Sequence, residues 1–259
     1  MNVDLIAGAG LAAVLTLVTR AKKALTWPAV LTADAMILLI SWLSSVREAA
    51  FLIAMYVVVF AVDLVFHSGS DSIKKKSGTR RYSQIMANGT AGCVCILLYA
   101  LLEAPAFLIG YYCSIFEVLS ESIAPDVGVL SKREPRDICT GKVLPRGISG
   151  GISLLGSVSS GAACLGMGLV TGLVLELSAP QTATIIAVPY CGMLVDSIIG
   201  SLIQVKYRCS VCGALTEKQI HCGAPAVICG GRRSINNSTV NFICTVLAAV
   251  LGTVIGLFL

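Results

Sequence analysis

The sequence predicts an all-α polytopic membrane protein with about eight transmembrane helices and a small cytosolic Cys-rich loop. Three observations carry this. Of 259 residues, 56% are hydrophobic and 13% charged, whereas a soluble domain carries about 25% charged residues; mean hydropathy is +0.87. Apolar runs of about 20 residues, the length that crosses a bilayer, recur with polar loops between them. The basic residues gather in alternate loops. This composition excludes disorder, a coiled coil, a nucleic-acid-binding arm and an ordinary cytosolic enzyme. The period-2 alternation of a membrane barrel is scarce.

In order, the predicted spans are 3–19, 27–44, 49–66, 83–102, 104–123, 151–175, 181–205 and 239–259. The first has no basic n-region and no small-residue cleavage site, so it is expected to be a retained span. The fourth and fifth meet at Glu103 with very little loop between them. The whole chain reads as one integral membrane domain, with a Cys-rich loop at 206–233 inserted between the last two spans.

Lys and Arg set the orientation. The first loop holds Arg20, Lys22 and Lys23, and the third Lys74, Lys75, Lys76, Arg80 and Arg81. The fifth holds Lys132, Arg133, Arg136, Lys142 and Arg146, and the seventh Lys206, Arg208, Lys218, Arg232 and Arg233. Of 19 basic residues, Arg47 alone falls in an even loop. The positive-inside rule puts the odd loops in the cytoplasm and both termini outside. The polar, lysine-bearing stretch 67–78 reads as a flexible, phosphate-attracting cytosolic loop.

A carboxylate in hydrocarbon is costly, so an acid within a span is a functional candidate. Asp34, Asp63, Glu117, Glu121 and Asp196 lie within spans, and Asp126 opens the fifth loop. Asp34 lies about 10 Å and Asp196 about 13 Å from the cytosolic end, at 1.5 Å per residue. Glu117 and Glu121, four apart, share a helix face and with Asp126 could hold a divalent cation. The alternative for each acid is a paired buried charge or an interfacial side chain reaching water.

The fifth loop continues through a Gly-rich basic run, Thr140 to Ser153 (TGKVLPRGISGGIS). Lys142 and Arg146 flank glycines that let backbone N–H groups approach a ligand, and the run leads into a helix N-terminus, which favours anions. It is not a Walker A motif. Its composition suits a phosphate site or a flexible loop before a Gly-rich packing helix equally.

Most of the 11 cysteines are scattered through spans as small apolar residues. The exceptions are Cys209-Ser-Val-Cys212-Gly and His221-Cys222-Gly, followed by Cys229. The C-x-x-C-G unit is a zinc-knuckle spacing, and a cytosolic loop keeps thiols reduced. Cys209, Cys212, His221 and Cys222 are the candidate zinc ligands. Adjacent His221 and Cys222 need a strained turn to share one ion, which leaves Cys229 as an alternative. His67 reads as an interfacial residue, and the sequons at Asn88 and Asn237 as chance.

Five segments in order resemble a family of integral membrane proteins. Arg80 to Gly89 (RRYSQIMANG) is similar to its G-R-R-x-x-Q-V-L-A-N-G, and Ser120 to Gly128 (SESIAPDVG) to its A-D-T-x-A-S-E-I-G. Thr140 to Ser153 is similar to T-G-x-x-V-P-x-G-T-x-G-G-V-S, and Gly192 to Gln204 (GMLVDSIIGSLIQ) to G-x-x-x-D-S-x-x-G-x-x-x-Q. The Cys loop and Asn237 to Asn241 (NSTVN) follow. The family is domain of unknown function ninety-two, that of transmembrane protein nineteen and the plant phytyl-phosphate kinase. It is distantly similar to dolichol and phytol kinases and CTP-dependent lipid cytidylyltransferases. The resemblance runs from about Lys22 to Leu259.

The resemblance implies Mg²⁺-dependent transfer of a phosphate from CTP or another NTP to an isoprenoid monophosphate. By it, Glu121, Asp126 and Asp196 would hold Mg²⁺. Lys142, Arg146, Gly147, Ser149, Gly150 and Gly151 would hold triphosphate. Arg80, Arg81, Gln84, Asn88, Asn237 and Asn241 would line the polar site. Here the family's Asp and Glu are exchanged, as Glu121 and Asp126, and Pro125 stands between them. Ser238 and Asn236 replace residues that are often acidic in the family. The expected partners are a nucleoside triphosphate and an isoprenoid phosphate lipid, and no nucleic acid. A lipid or ion transporter or scramblase is one alternative; a lipid cytidylyltransferase is another.

Overall fold

A computed structural model describes residues 3–67 and 79–259. Apart from the backbone of its first residue, the predicted phosphate-attracting stretch 67–78 lies outside the described residues. Eight long helices follow the eight apolar runs: α1 (Val3–Ala21), α2 (Trp27–Leu43), α3 (Val46–His67), α4 (Tyr82–Leu102), α5 (Ala106–Gly128), α6 (Leu154–Val174), α7 (Ala179–Leu202) and α8 (Asn237–Gly256). Seven are long and apolar enough to cross a membrane; α2, at 17 residues, is a shorter apolar helix. The tight junction expected at Glu103 is real. Glu103 takes a left-handed conformation, φ 53°, and α5 begins three residues later.

The bundle is organised around α5. This helix is the least apolar of the seven, yet it is the most buried of them, whereas α1 is the least. Helices α3, α4, α6, α7 and α8 all pack on it. Several of its polar side chains find partners inside the bundle, where water is excluded. Tyr111 donates to the Glu48 carbonyl at 2.6 Å, Tyr112 to the Glu48 carboxylate at 3.4 Å, and Ser120 pairs with Ser160 at 2.6 Å. Elsewhere Asp34 accepts from Thr16 at 2.7 Å.

The two loops at the polar end of the bundle carry the short strands. The α5–α6 loop closes through β1 (Arg136–Asp137) against β2 (Gly151–Ile152). The Cys-rich loop folds as a four-stranded antiparallel sheet of β3 (Lys206–Cys209), β4 (Leu215–Thr216), β5 (Ile220–His221) and β6 (Ala224–Gly230), in the order β4-β3-β6-β5. Strands this short leave little alternation to read from sequence.

The α5–α8 contact depends on small residues, as helix contacts in lipid do. A Cβ on Gly110 would collide with Thr253 Oγ1 and lie 2.7 Å from the Ala249 carbonyl oxygen, whereas one on Gly10 would meet nothing within 4 Å. Gly110→Val is therefore expected to destabilise the bundle by about 1–3 kcal/mol. The measurement is a lower melting temperature in detergent, with Gly10→Ala as the unaffected control.

Candidate functional site

A cleft opens where the last turns of α5 and α7 meet the first turns of α6 and α8. Glu121, Pro125 and Gly128 of α5 line one wall, and Met193, Asp196 and Ser197 of α7 another. Residues 146–153 of the Gly-rich loop form a third side. Glu217 from the Cys-rich sheet and Asn237 from α8 complete it. Two motifs that lie 75 residues apart in sequence thus supply Glu121 and Asp196 to one site.

The Gly-rich loop is fastened to α7 by a carboxylate and by glycine. Asp137 accepts from the Ser201 hydroxyl at 2.8 Å, the Thr140 amide at 2.8 Å, the Thr140 hydroxyl at 3.0 Å and the Cys139 amide at 3.1 Å. Burial pushes the Asp137 carboxyl up, but these donors, Ser201 first, outweigh it and hold the group below its ordinary 3.8. Gly150 (φ 89°) presses against Ser201 so closely that a Cβ would sit 2.6 Å from the Ser201 Cα. Only glycine combines that backbone conformation with that approach.

Acids and amides form the inner wall. Asn241 Nδ2 donates to Glu121 Oε2 at 3.2 Å and to Asn88 Oδ1 at 3.4 Å, and Asn237 Nδ2 donates to Asn241 Oδ1 at 3.1 Å. Three of the four predicted lining amides, Asn88, Asn237 and Asn241, therefore meet at Asn241, which joins them to Glu121. Deeper in α5, Glu117 is 1% exposed, and among the described residues its Oε1 has no hydrogen-bond partner. Gly192 of α7 makes room for it: a Cβ there would lie 2.6 Å from the Glu117 Cγ.

Other predicted residues lie elsewhere. Asp126 is in the last turn of α5 rather than in the loop, because the helix runs on to Gly128. Five residues at 100° each carry it about 140° round the helix from Glu121, and it is absent from the cleft lining. Lys142 sits exposed at the far tip of the loop, where its carbonyl accepts the Asp137 N–H. Arg146 lines the cleft, but its guanidinium donates to the carbonyls of Val129 and Ser131 at 2.8 and 2.9 Å and lies 3.5 Å from Glu134. Arg81 and Gln84 are exposed outside the lining, and Gln84 accepts the Arg81 backbone N–H as a cap on α4. The Arg80 backbone bonds with Ala24 and Thr26 in the first loop. Sequence reasoning missed Asp137, Ser201, Gln204 and Glu217. The first three sit within or beside motifs, whereas Glu217 carried no signal.

The Cys-rich sheet gathers four candidate metal ligands. One ligand atom each from Cys209, Cys212, His221 and Cys222 lies within 4.8 Å of the others. His221 Nδ1 is 3.5 Å from Cys212 Sγ and 3.3 Å from Cys222 Sγ. Cys209 Sγ accepts the backbone N–H groups of Val211 and Cys212 at 3.4 and 3.5 Å. The Cys212 N–H, more than any other contact, holds the Cys209 thiol down at about 6, while the hydrogen bond to Cys212 pushes Cys222 up to about 11. The strained turn expected at the His-Cys pair is present, with Cys222 at φ 53°. Cys229 lies exposed on β6 outside this group. Among the described residues no trio of acids comes as close together.

Removing Asp137 should free the Gly-rich loop. Asp137→Ala is expected to cost about 1–3 kcal/mol, since it removes a buried acceptor from four part-buried hydrogen bonds, and to speed tryptic cleavage at Lys142. Because folding lowers this pKa, the stabilisation is present above about 3.8 and is lost as pH falls below it. Melting temperatures of the two proteins should therefore converge under acid; a constant gap down to low pH would contradict the role.

The DUF92 family model of integral membrane proteins matches residues 10–249. Protein PGR of Arabidopsis thaliana is 26% identical over 210 residues, 71% of this chain and 72% of the relative. The uncharacterized membrane protein MJ0933 of Methanocaldococcus jannaschii is 25% identical over 248 residues, covering 93% and 90%. Protein VTE6, chloroplastic, of Arabidopsis thaliana is 25% identical over 138 residues, covering 51% and 41%. No solved structure gives a significant match. The match spans nearly the whole chain, and on that ground this protein belongs to the DUF92 family of integral membrane proteins.

Proposed function

We propose that the protein is a membrane-embedded isoprenoid-phosphate kinase that transfers the terminal phosphate of CTP or another NTP to a prenyl monophosphate. The observation that carries this is the meeting of Glu121 and Asp196 with the Gly-rich loop in one cleft at the end of the bundle. The resemblance to phytyl-phosphate kinase supports it. In this reading the cleft end faces the cytosol, as the basic loops indicate. The isoprenoid chain stays among the apolar helices and presents its phosphate at their ends.

In the reaction, a prenyl-phosphate oxygen attacks the terminal phosphorus of the nucleotide. The bond from that phosphorus to the bridging oxygen breaks, and the nucleoside diphosphate leaves. Phosphoryl transfer asks of a protein mainly positioning and charge compensation. The backbone N–H groups of residues 147–151 that are not used within the loop, where Ile148 donates to Pro145 and Gly151 to Ile148, would position phosphate oxygens, with Asn237 and Asn241 alongside. The chemistry of the donors suits a divalent cation: Glu121 and Asp196 line the cleft, and among the described residues the buried Glu117 Oε1 beside them has no hydrogen-bond partner. Mg²⁺ held there by Glu121 and Asp196 would neutralise charge between the two phosphates.

The test uses purified protein with Mg²⁺, radiolabelled CTP and geranylgeranyl or phytyl phosphate. Prenyl diphosphate and CDP are the expected products. Pyrophosphate release in place of CDP would identify a cytidylyltransferase, and nucleotide-independent lipid flux in proteoliposomes a transporter; either result overturns the kinase. Asp196→Asn should lower turnover roughly 100-fold or more with expression intact, and full activity in that variant would remove its role.

The Cys₃His donor set fits a closed, structural Zn²⁺ site. Cys212→Ser should lower yield and zinc content together, with about one zinc per chain in the unmodified protein by elemental analysis. Unchanged zinc in the variant would contradict the site.

A further inference from the structure

Glu217 reaches from the Cys-rich sheet into the Gly-rich loop, 68 residues away in sequence. It lies on the three-residue connection between β4 and β5. Its Oε1 accepts the Ser149 backbone N–H, and its Oε2 accepts Gln204 Nε2 at 3.2 Å. Gln204, 2% exposed, also donates to the Ser149 hydroxyl at 2.8 Å. These are amide donors around an anion, the surroundings that hold a phosphate oxygen.

Among the described residues no cation hydrogen-bonds to this carboxylate. Arg146, the basic residue in the lining, is turned to carbonyl oxygens and Glu134. Lys206 Nζ donates to the Ser201 carbonyl at 3.2 Å. Asp196, a second carboxyl, lies in the same cleft lining. Two neutral donors therefore hold Glu217 in place, on a connection that belongs to a separate sheet.

We propose that the Ser149 N–H and the Gln204 side-chain amide form a seat for a phosphate group, which Glu217 fills until a phosphate displaces it. The seat takes a phosphoryl oxygen, from either a polyphosphate or a lipid monophosphate. This rests on the proposed function in placing a phosphate compound in the cleft, but not on transfer taking place. When Glu217 leaves the seat, the β4–β5 connection lifts with it, so the Cys-rich sheet covers the Gly-rich loop only while the seat holds the carboxylate. A built-in occupant lowers apparent affinity by the fraction of time it holds the seat.

The experiment uses the full chain in nanodiscs with Mg²⁺, titrated separately with inorganic pyrophosphate and geranyl monophosphate. Glu217→Ala is expected to tighten binding of one of them about tenfold, and the probe that gains names the source of the phosphate. Glu217→Gln, which keeps an acceptor oxygen but not the charge, should gain less. Adding Gln204→Leu to Glu217→Ala should cancel the gain. In the unmodified protein, the gaining probe should speed hydrogen exchange over residues 217–221. Unchanged or weaker binding of both probes by Glu217→Ala and Glu217→Gln, or unaltered exchange there, overturns the seat. Tighter binding with no transfer to any prenyl phosphate leaves the seat standing and removes the kinase. Transfer with no gain does the reverse.

Discussion

A carboxylate carried into hydrocarbon needs donors or a cation, and much of this protein is built to house several such groups. Helix α5 brings Glu117 and Glu121, and α7 brings Asp196, to the same end of the bundle. The more apolar helices then wrap α5, so the least apolar span is also the most enclosed. Near its start α5's tyrosines bond to Glu48, and beside the cleft its Ser120 bonds to Ser160. At the cleft Asn241 serves Glu121, while among the described residues Glu117 Oε1 and Ser114 Oγ have no hydrogen-bond partner.

Tertiary contacts assemble the rest of the site around those acids. The Gly-rich loop has few side chains of its own with which to hold a shape. Its form comes from Asp137, which ties it to Ser201, and from Gly150, which lets it lie against α7. Glu217 then joins the loop to the Cys-rich sheet. Two loops and the end of α7 therefore share one small hydrogen-bonded junction beside the cleft. The Cys-His cluster stands on the same sheet, with Cys209 closing β3 and His221 closing β5 on either side of the connection that carries Glu217.

The sequence by itself determined the eight helices, because apolar length and polar interruption are local properties that lipid enforces. It also marked Cys209, Cys212, His221 and Cys222 as candidate ligands through the C-x-x-C-G spacing, while leaving Cys229 open as an alternative, and it marked Glu121, Asp196 and residues 147–151 through their motifs. Asp126 shows where local pattern stops being enough. Whether it faced the cleft depended on where α5 ended, and five more residues of helix turned it away. Lys142 and Arg146 show the same for charge, one exposed at the loop tip and the other committed to carbonyl oxygens. Only the tertiary structure decided that Asp137 fastens the loop, that Asn88 meets Asn241, and that Glu217 enters the cleft. These contacts join residues 64, 153 and 68 positions apart. No periodicity spans such distances; they arise from the packing of α4, α5, α7 and α8 against one another.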